Sequence, residues 1–218
     1  MDIIIVALYS YLAGSIPFGL ILIKLFQGKD IRKTGSGNIG ATNVLRVGGK
    51  LLAGGTLILD ILKGYFPVIL TNQYYPEFIF LSCLLSFLGH IFPIWLKFKG
   101  GKGVATYLGV LFALSYQISF LFIFTWVVIS LIFRYSSVSA MFASMTVFVI
   151  TLIREKFFAI FFIINENKIE SNNQISGSES FTSLNISTIL FIFFILIIFT
   201  HRKNITNLRR NSEPKIKL

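Results

Sequence analysis

The residues able to do chemistry in this chain lie in two glycine-rich stretches and two short polar ones. Gly35-Ser36-Gly37-Asn38-Ile39-Gly40-Ala41-Thr42-Asn43 is followed closely by Arg46. Glycines let a backbone aim several N–H groups at one anion. Ser36, Thr42 and Asn43 add side-chain donors, and a guanidinium such as Arg46 can grip a phosphate through two parallel hydrogen bonds. The stretch reads as a phosphate-binding segment shaped by Gly35, Gly37, Asn38 and Gly40. A plain polar turn would use the same residue types; Arg46 and the density of donors favour the anion. The glycines also fit G-x-G-x-x-G, but the dinucleotide reading needs a preceding strand and a βαβ unit. Long apolar runs flank this one instead.

The second stretch runs from Gly89-His90-Ile91-Phe92-Pro93 to Lys99-Gly100-Gly101-Lys102-Gly103. A helix starting after Gly103 would offer free N–H groups and positive potential to an anion beside Lys102. It is not a Walker A loop, because Gly103 stands where that motif needs Ser or Thr. Lys102 reads as a phosphate partner, against the blander reading of an orientation charge. His90 reads equally as a substrate contact or as a satisfied histidine at a helix end. Arg134-Tyr135-Ser136-Ser137-Val138-Ser139 and His201-Arg202-Lys203-Asn204-Ile205 are weaker signals. Alone, they are a turn and a basic tail drawn to anionic lipid by about 1 kcal/mol per charge.

The elements that position these residues are apolar. Of 218 residues, 55% are hydrophobic and only 13% charged, against about a quarter charged in soluble domains. A spanning helix needs roughly 20 apolar residues. Candidate spans are Ile3–Phe26, Leu51–Thr71, Phe78–Leu96, Val104–Phe133, Val138–Ile164 and Leu184–Thr200. The expected fold is an all-α polytopic membrane bundle forming one domain over residues 1–218. The net charge of +11 does not point to nucleic acid, since the basic residues sit between apolar runs as orientation signals do. One cysteine, Cys83, excludes an intramolecular disulfide, and two histidines without a Cys/His cluster argue against a metal.

Lysine and arginine set the parity. The segments Lys24–Lys50, Lys97–Lys102, Arg134 and the tail 202–218 are basic and should be cytoplasmic. Residues 72–77 and 165–183 should be outside, the latter as a flexible loop. Lys102 and Arg134 then share a side, so the run between them crosses twice, each crossing about 14–15 residues long, breaking near Ser115-Tyr116-Gln117. The count is seven spans, N-terminus outside and C-terminus inside, with six as the alternative. Arg154-Glu155-Lys156 reads as the interfacial end of a span, and Asp60 with Lys63 as an intramembrane pair.

Together with Gly14-Ser15-Ile16-Pro17-Phe18-Gly19, the motifs above and the tail residues His201, Arg202, Asn204, Ile205, Leu208 and Glu213 resemble the bacterial membrane-bound acyl-phosphate:glycerol-3-phosphate acyltransferases. The matches run through nearly the whole chain in the family's order. The resemblance implies seven spans and an active site on the cytoplasmic face of the bacterial inner membrane. It implies acyl phosphate as donor, glycerol 3-phosphate as acceptor, and lysophosphatidic acid and phosphate as products, without a cofactor. Ser36, Arg46, Lys102, His201 and Asn204 match polar positions of that family's active site. Its third-region serine is matched by Ser137, with Ser139 as the alternative. Gly100, Gly101 and Gly103 are read from the loop itself as backbone donors to phosphate. The implied partners are the two substrates and membrane lipid, with a transient contact to the enzyme that makes acyl phosphate. A membrane carrier of organic phosphates is the competing reading.

Overall fold

The computed structural model describes residues 1–169 and 186–216, and among these every regular element is helical. The helices are α1 (Asp2–Ser15), α2 (Phe18–Gln27), α3 (Ala41–Tyr74), α4 (Ile79–Ile91), α5 (Val104–Leu114), α6 (Tyr116–Phe133), α7 (Ser136–Ile169), α8 (Ile186–Thr200) and α9 (Arg202–Arg209). Large side chains such as Ile4, Leu8, Ile58, Phe66, Phe124 and Leu131 are exposed, while Ser10, Thr56, Thr71, Ser82, Ser86 and Ser144 are buried. An apolar exterior around small polar contacts is the pattern of helices packed in lipid. Ser10 and Ser82 share a hydrogen bond of 2.8 Å, and the Tyr9 hydroxyl meets Thr71. Gly14 and Gly89 bring α1 against α4, and Gly64 and Gly109 bring α3 against α5, each with no room for a β-carbon.

Among the described residues, Asp2–Gln27, Ala41–Tyr74, Pro76–Leu96, Tyr116–Phe133 and Ser136–Phe157 are long and apolar enough to cross a membrane. The α8–α9 pair, bent by 55°, gives a sixth if it is counted as one span. The run 104–133 does break at Ser115, but into helices of 11 and 18 residues rather than near-equal halves. Ser115 has extended backbone and its hydroxyl bonds Gln117, while the Ser119 hydroxyl folds back on the Ser115 carbonyl.

Three boundaries correct the sequence reading. The first span is broken at Ile16-Pro17, since proline lacks the N–H that would continue the helix. The second helix begins at Ala41, ten residues before the expected Leu51, and is kinked at Gly49 (φ 85°, ψ 178°). The seventh helix continues to Ile169, so the first residues of the expected outer loop are helical. The rest of that expectation, 170–183, lies outside the described residues. Glu155, the misfit in the apolar pattern, accepts from the Ser187 N–H at 3.1 Å and from its hydroxyl at 2.5 Å. A carboxylate there complements the positive N-terminus of α8.

Candidate active site

Asn43 organises the first motif. It is buried on the first turn of α3, and its Oδ1 accepts from the Ser36 N–H at 2.8 Å. Its amide donates to the carbonyls of Thr34 at 3.1 Å and Asn38 at 2.8 Å. Expected as a donor to substrate, Asn43 is instead the knot of the turn. Asn38 in turn accepts from the Gly40 N–H at 2.8 Å and so sets up the start of α3. Gly35 (φ 59°) and Gly37 (φ 71°) lie in the left-handed region that glycine tolerates. A side chain on Gly35 would also run into Asn43 Oδ1. The motif is therefore half turn and half helix: Ala41, Thr42 and Arg46 ride on α3, and Ser36, Thr42 and Arg46 are exposed.

The second motif folds back on the end of α4. Gly100 and Gly101 donate to the carbonyls of Ile91 at 3.0 Å and His90 at 3.1 Å. A β-carbon on Gly101 would strike the His90 ring. His90 itself is buried and lies 3.8 Å from Asp60 Oδ1, under the loop rather than on its open face. Gly103 (φ 81°) precedes the first turn of α5, as expected for a glycine loop that opens onto a helix. The Lys102 carbonyl accepts from the Thr200 hydroxyl at 3.2 Å, joining this loop to the end of α8.

The tail, a plain basic segment when read alone, carries a short helix and folds back on the bundle. α9 turns away from α8, and the chain beyond it returns to the start of α7. Glu213 is the hub. Its Oε1 accepts from Ser137 at 3.1 Å and from Asn204 at 2.5 Å, and its Oε2 accepts from Asn207 at 3.4 Å. Ile216 and Arg134 clasp the same corner, with the Ile216 N–H 2.7 Å from the Arg134 carbonyl. The two serines left open above make different contacts. Ser137 faces Glu213, while Ser139 bonds back to the Tyr135 carbonyl at 2.9 Å.

Electrostatics tie these pieces together. Burial pushes the Lys102 ammonium down to about 8; Glu213 nearby opposes that shift and Arg46 nearby adds to it. Burial pushes His201 down to about 4, helped by the positive Lys102 and opposed by the Ile197 carbonyl. That carbonyl is 2.8 Å from His201 Nδ1, so Nδ1 carries the proton and Nε2 is left with its lone pair. Among the described residues no carboxylate lies within ion-pairing distance of Arg46 or Lys102. Asp30, the other acid near the motifs, is held by Arg32 at 2.7 Å, and that hydrogen bond draws its carboxyl down to about 2.

Arg46, Lys102, His201, Asn204 and Ser137 thus meet at one end of the bundle, the last two through Glu213. Ser36 joins them through Asn43, one turn before Arg46 on α3. Glu213 was part of the sequence resemblance, but its role as hub was not read from the sequence. The available signal was its standing as the one acid among six basic residues of the tail.

An all-helical bundle with an apolar exterior and a cationic polar end is an integral membrane protein. Its particular kind follows from its relatives. Residues 4–211 match the family model described as glycerol-3-phosphate acyltransferase, and the chain belongs to that family. A glycerol-3-phosphate acyltransferase of Pelagibacter ubique (strain HTCC1062) is 46% identical over the whole of both chains. One of Mesorhizobium japonicum is 41% identical over 98% of this chain and 96% of the relative. Among solved structures, the integral membrane acyltransferase PlsY in its glycerol 3-phosphate form superposes with a TM-score of 0.82. It is 31% identical and covers 100% of this chain and 96% of its own. The lysophosphatidic acid form of that protein gives 0.80 at 30% identity. The chain is accordingly an acyltransferase.

Proposed function

We propose that this chain transfers a fatty acyl group from acyl phosphate to the sn-1 hydroxyl of glycerol 3-phosphate, releasing lysophosphatidic acid and phosphate. The observation that carries this reading is the pair Arg46 and Lys102. They are close enough for one to depress the basicity of the other, yet neither has a carboxylate partner within ion-pairing distance among the described residues. Two cations in that state suit two phosphates. The structures of PlsY with glycerol 3-phosphate and with lysophosphatidic acid support the choice of acceptor and product.

In the reaction, the glycerol oxygen attacks the acyl carbonyl, the bond from carbonyl carbon to phosphate oxygen breaks, and the phosphate leaves with the proton. Phosphate is already a fair leaving group, so the protein's part is to hold both anions and stabilise developing charge. A serine acyl-enzyme is disfavoured. A triad histidine needs an orienting acid on Nδ1, and His201 has the Ile197 carbonyl there instead. Its low basicity suits a neutral hydrogen-bond acceptor better than a general base.

The membrane placement is part of the same proposal. The basic stretches 24–50 and 97–102, Arg134 and α9 support a polar end facing the cytoplasm of a bacterial inner membrane, with the N-terminus outside. α5 is counted as the fourth of seven crossings. At roughly 17 Å it is short, but it is packed closely along α3 and starts from the Gly100–Gly103 loop. A transient contact with the enzyme that supplies acyl phosphate fits the same face.

Purified protein in detergent, given labelled glycerol 3-phosphate, should form lysophosphatidic acid from palmitoyl phosphate and not from palmitoyl-CoA or palmitoyl-acyl carrier protein. Product chiefly from a thioester would remove the donor assignment and leave the acyltransferase.

The pH profile offers a second check. Lys102 is charged below about 8 and loses its proton above it. If the ammonium binds phosphate, kcat/KM should fall as pH rises through about 8, because that parameter reports the free enzyme. Lys102→Arg stays charged to above about pH 12 and should carry the alkaline limb upward with it. An unmoved limb would assign the titration to another group.

A further inference from the structure

The mechanism leaves one cluster unused. Asp60 and Lys63 on α3 and His90 on α4 are all buried. Lys63 Nζ lies 2.7 Å from Asp60 Oδ1 and donates to the Ile16 carbonyl at 2.6 Å. That carbonyl sits at the break between α1 and α2, just before Pro17, and also accepts from the Phe18 N–H at 3.1 Å. His90 stands beside Asp60 at 3.8 Å, and the far side of its ring closes against Gly101. Two further bonds tie the same parts, from the Tyr11 hydroxyl to the Phe92 carbonyl at 2.6 Å and from Trp95 Nε1 to Ser15 Oγ at 2.8 Å.

We propose that Asp60, Lys63 and His90 form a buried positioning clamp, which anchors the Gly100–Gly103 loop to the broken first helical run and so fixes where the Lys102 ammonium stands. The three residues touch no substrate; they act through the loop. Charges in a membrane bundle are retained against a desolvation penalty. This pair grips the carbonyl at the helix break on one side, and the neighbouring histidine floors a glycine loop on the other. The apolar alternatives at these positions would fill space without holding either. The inference rests on the assignment of Lys102 to the phosphate site.

Three variants test it in the full-length protein: His90→Ala, the double variant Asp60→Leu/Lys63→Met, and Ser82→Ala as a purely structural control in the Ser10–Ser82 contact. A displacement near 1 Å costs on the order of 100-fold in rate. The first two should therefore lose about 10- to 100-fold in kcat with a smaller change in KM for glycerol 3-phosphate. His90→Phe should restore part of the loss, because it refloors Gly101. The readout that a structural role would not move is the pH dependence with which an amine reagent labels Lys102, followed by mass spectrometry. The groups facing Lys102 are Arg46, Glu213 and His201, and none is altered. In the wild type the labelling midpoint should be near 8; in His90→Ala, water reaching a loosened loop should carry it toward the ordinary 10.5. A midpoint equal to that of the wild type and Ser82→Ala would overturn the clamp. Normal turnover by Lys102→Ala would instead overturn the site reading, whatever the labelling shows.

Discussion

Arg46→Ala and Lys102→Ala are each expected to lower kcat/KM for glycerol 3-phosphate by about 100- to 1,000-fold, the range seen when one donor to a developing negative charge is lost. Both should leave the bundle intact. Arg46 is exposed, and among the described residues neither side chain makes an ion pair that folding would miss. The two should differ in what restores them. An arginine supplies a planar fork and a lysine a point charge, so Arg46→Lys should recover only part of the loss. Lys102→Arg keeps the charge, but its larger head must fit a half-buried place beside His201 and Thr200. Measuring kcat and KM separately for both substrates shows which phosphate each cation holds. A near-normal rate in either alanine variant, with unfolding unchanged, would take that residue out of the site.

The glycine turns beside the two cations were legible in the sequence because they are local. Gly35, Gly37 and Gly103 adopt positive φ, and a glycine-rich run beside a lone cation announces such a backbone without knowledge of the fold. Helix type followed from apolar runs whose length the bilayer dictates, and the break at Ser115 from three polar residues inside one of them. What escaped depends on partners far along the chain. Ser137 finds Glu213 across 76 residues, and Lys63 finds the Ile16 carbonyl across 47. Pro17 sits in an apolar run that reads as one helix; at its break the Ile16 carbonyl accepts from the Phe18 N–H and from a lysine on another helix. Asn43 looked like a donor to substrate because asparagine offers donors wherever it stands. Only the packing shows that its amide is already engaged by Thr34 and Asn38.

The Asp60–Lys63 pair is where the largest loss of stability is expected. Both side chains are about 3% exposed and 2.7 Å apart. Removing one partner of a buried pair leaves an uncompensated charge and costs about 3–5 kcal/mol. Asp60→Leu should therefore destabilise the detergent-solubilised protein strongly, since Lys63 would keep only the Ile16 carbonyl and the Phe18 ring as partners. Lys63→Met should do so as well, because it strands the Asp60 carboxylate; the Ile16 carbonyl loses the lysine but keeps the Phe18 N–H at 3.1 Å. Replacing both removes the stranded charge and forfeits only the lysine's hydrogen bond to the Ile16 carbonyl. The double variant should then be no less stable than either single variant, and the coupling across the cycle should be favourable and larger than about 1 kcal/mol, as for groups in direct contact. Thermal unfolding of the four proteins in one detergent measures it. Additive losses would mean that the two charges are held by other groups and that the pair is incidental to the break at Pro17. Strong coupling, with the double variant stable yet slow, would separate the pair's contribution to folding from its contribution to the placement of Lys102.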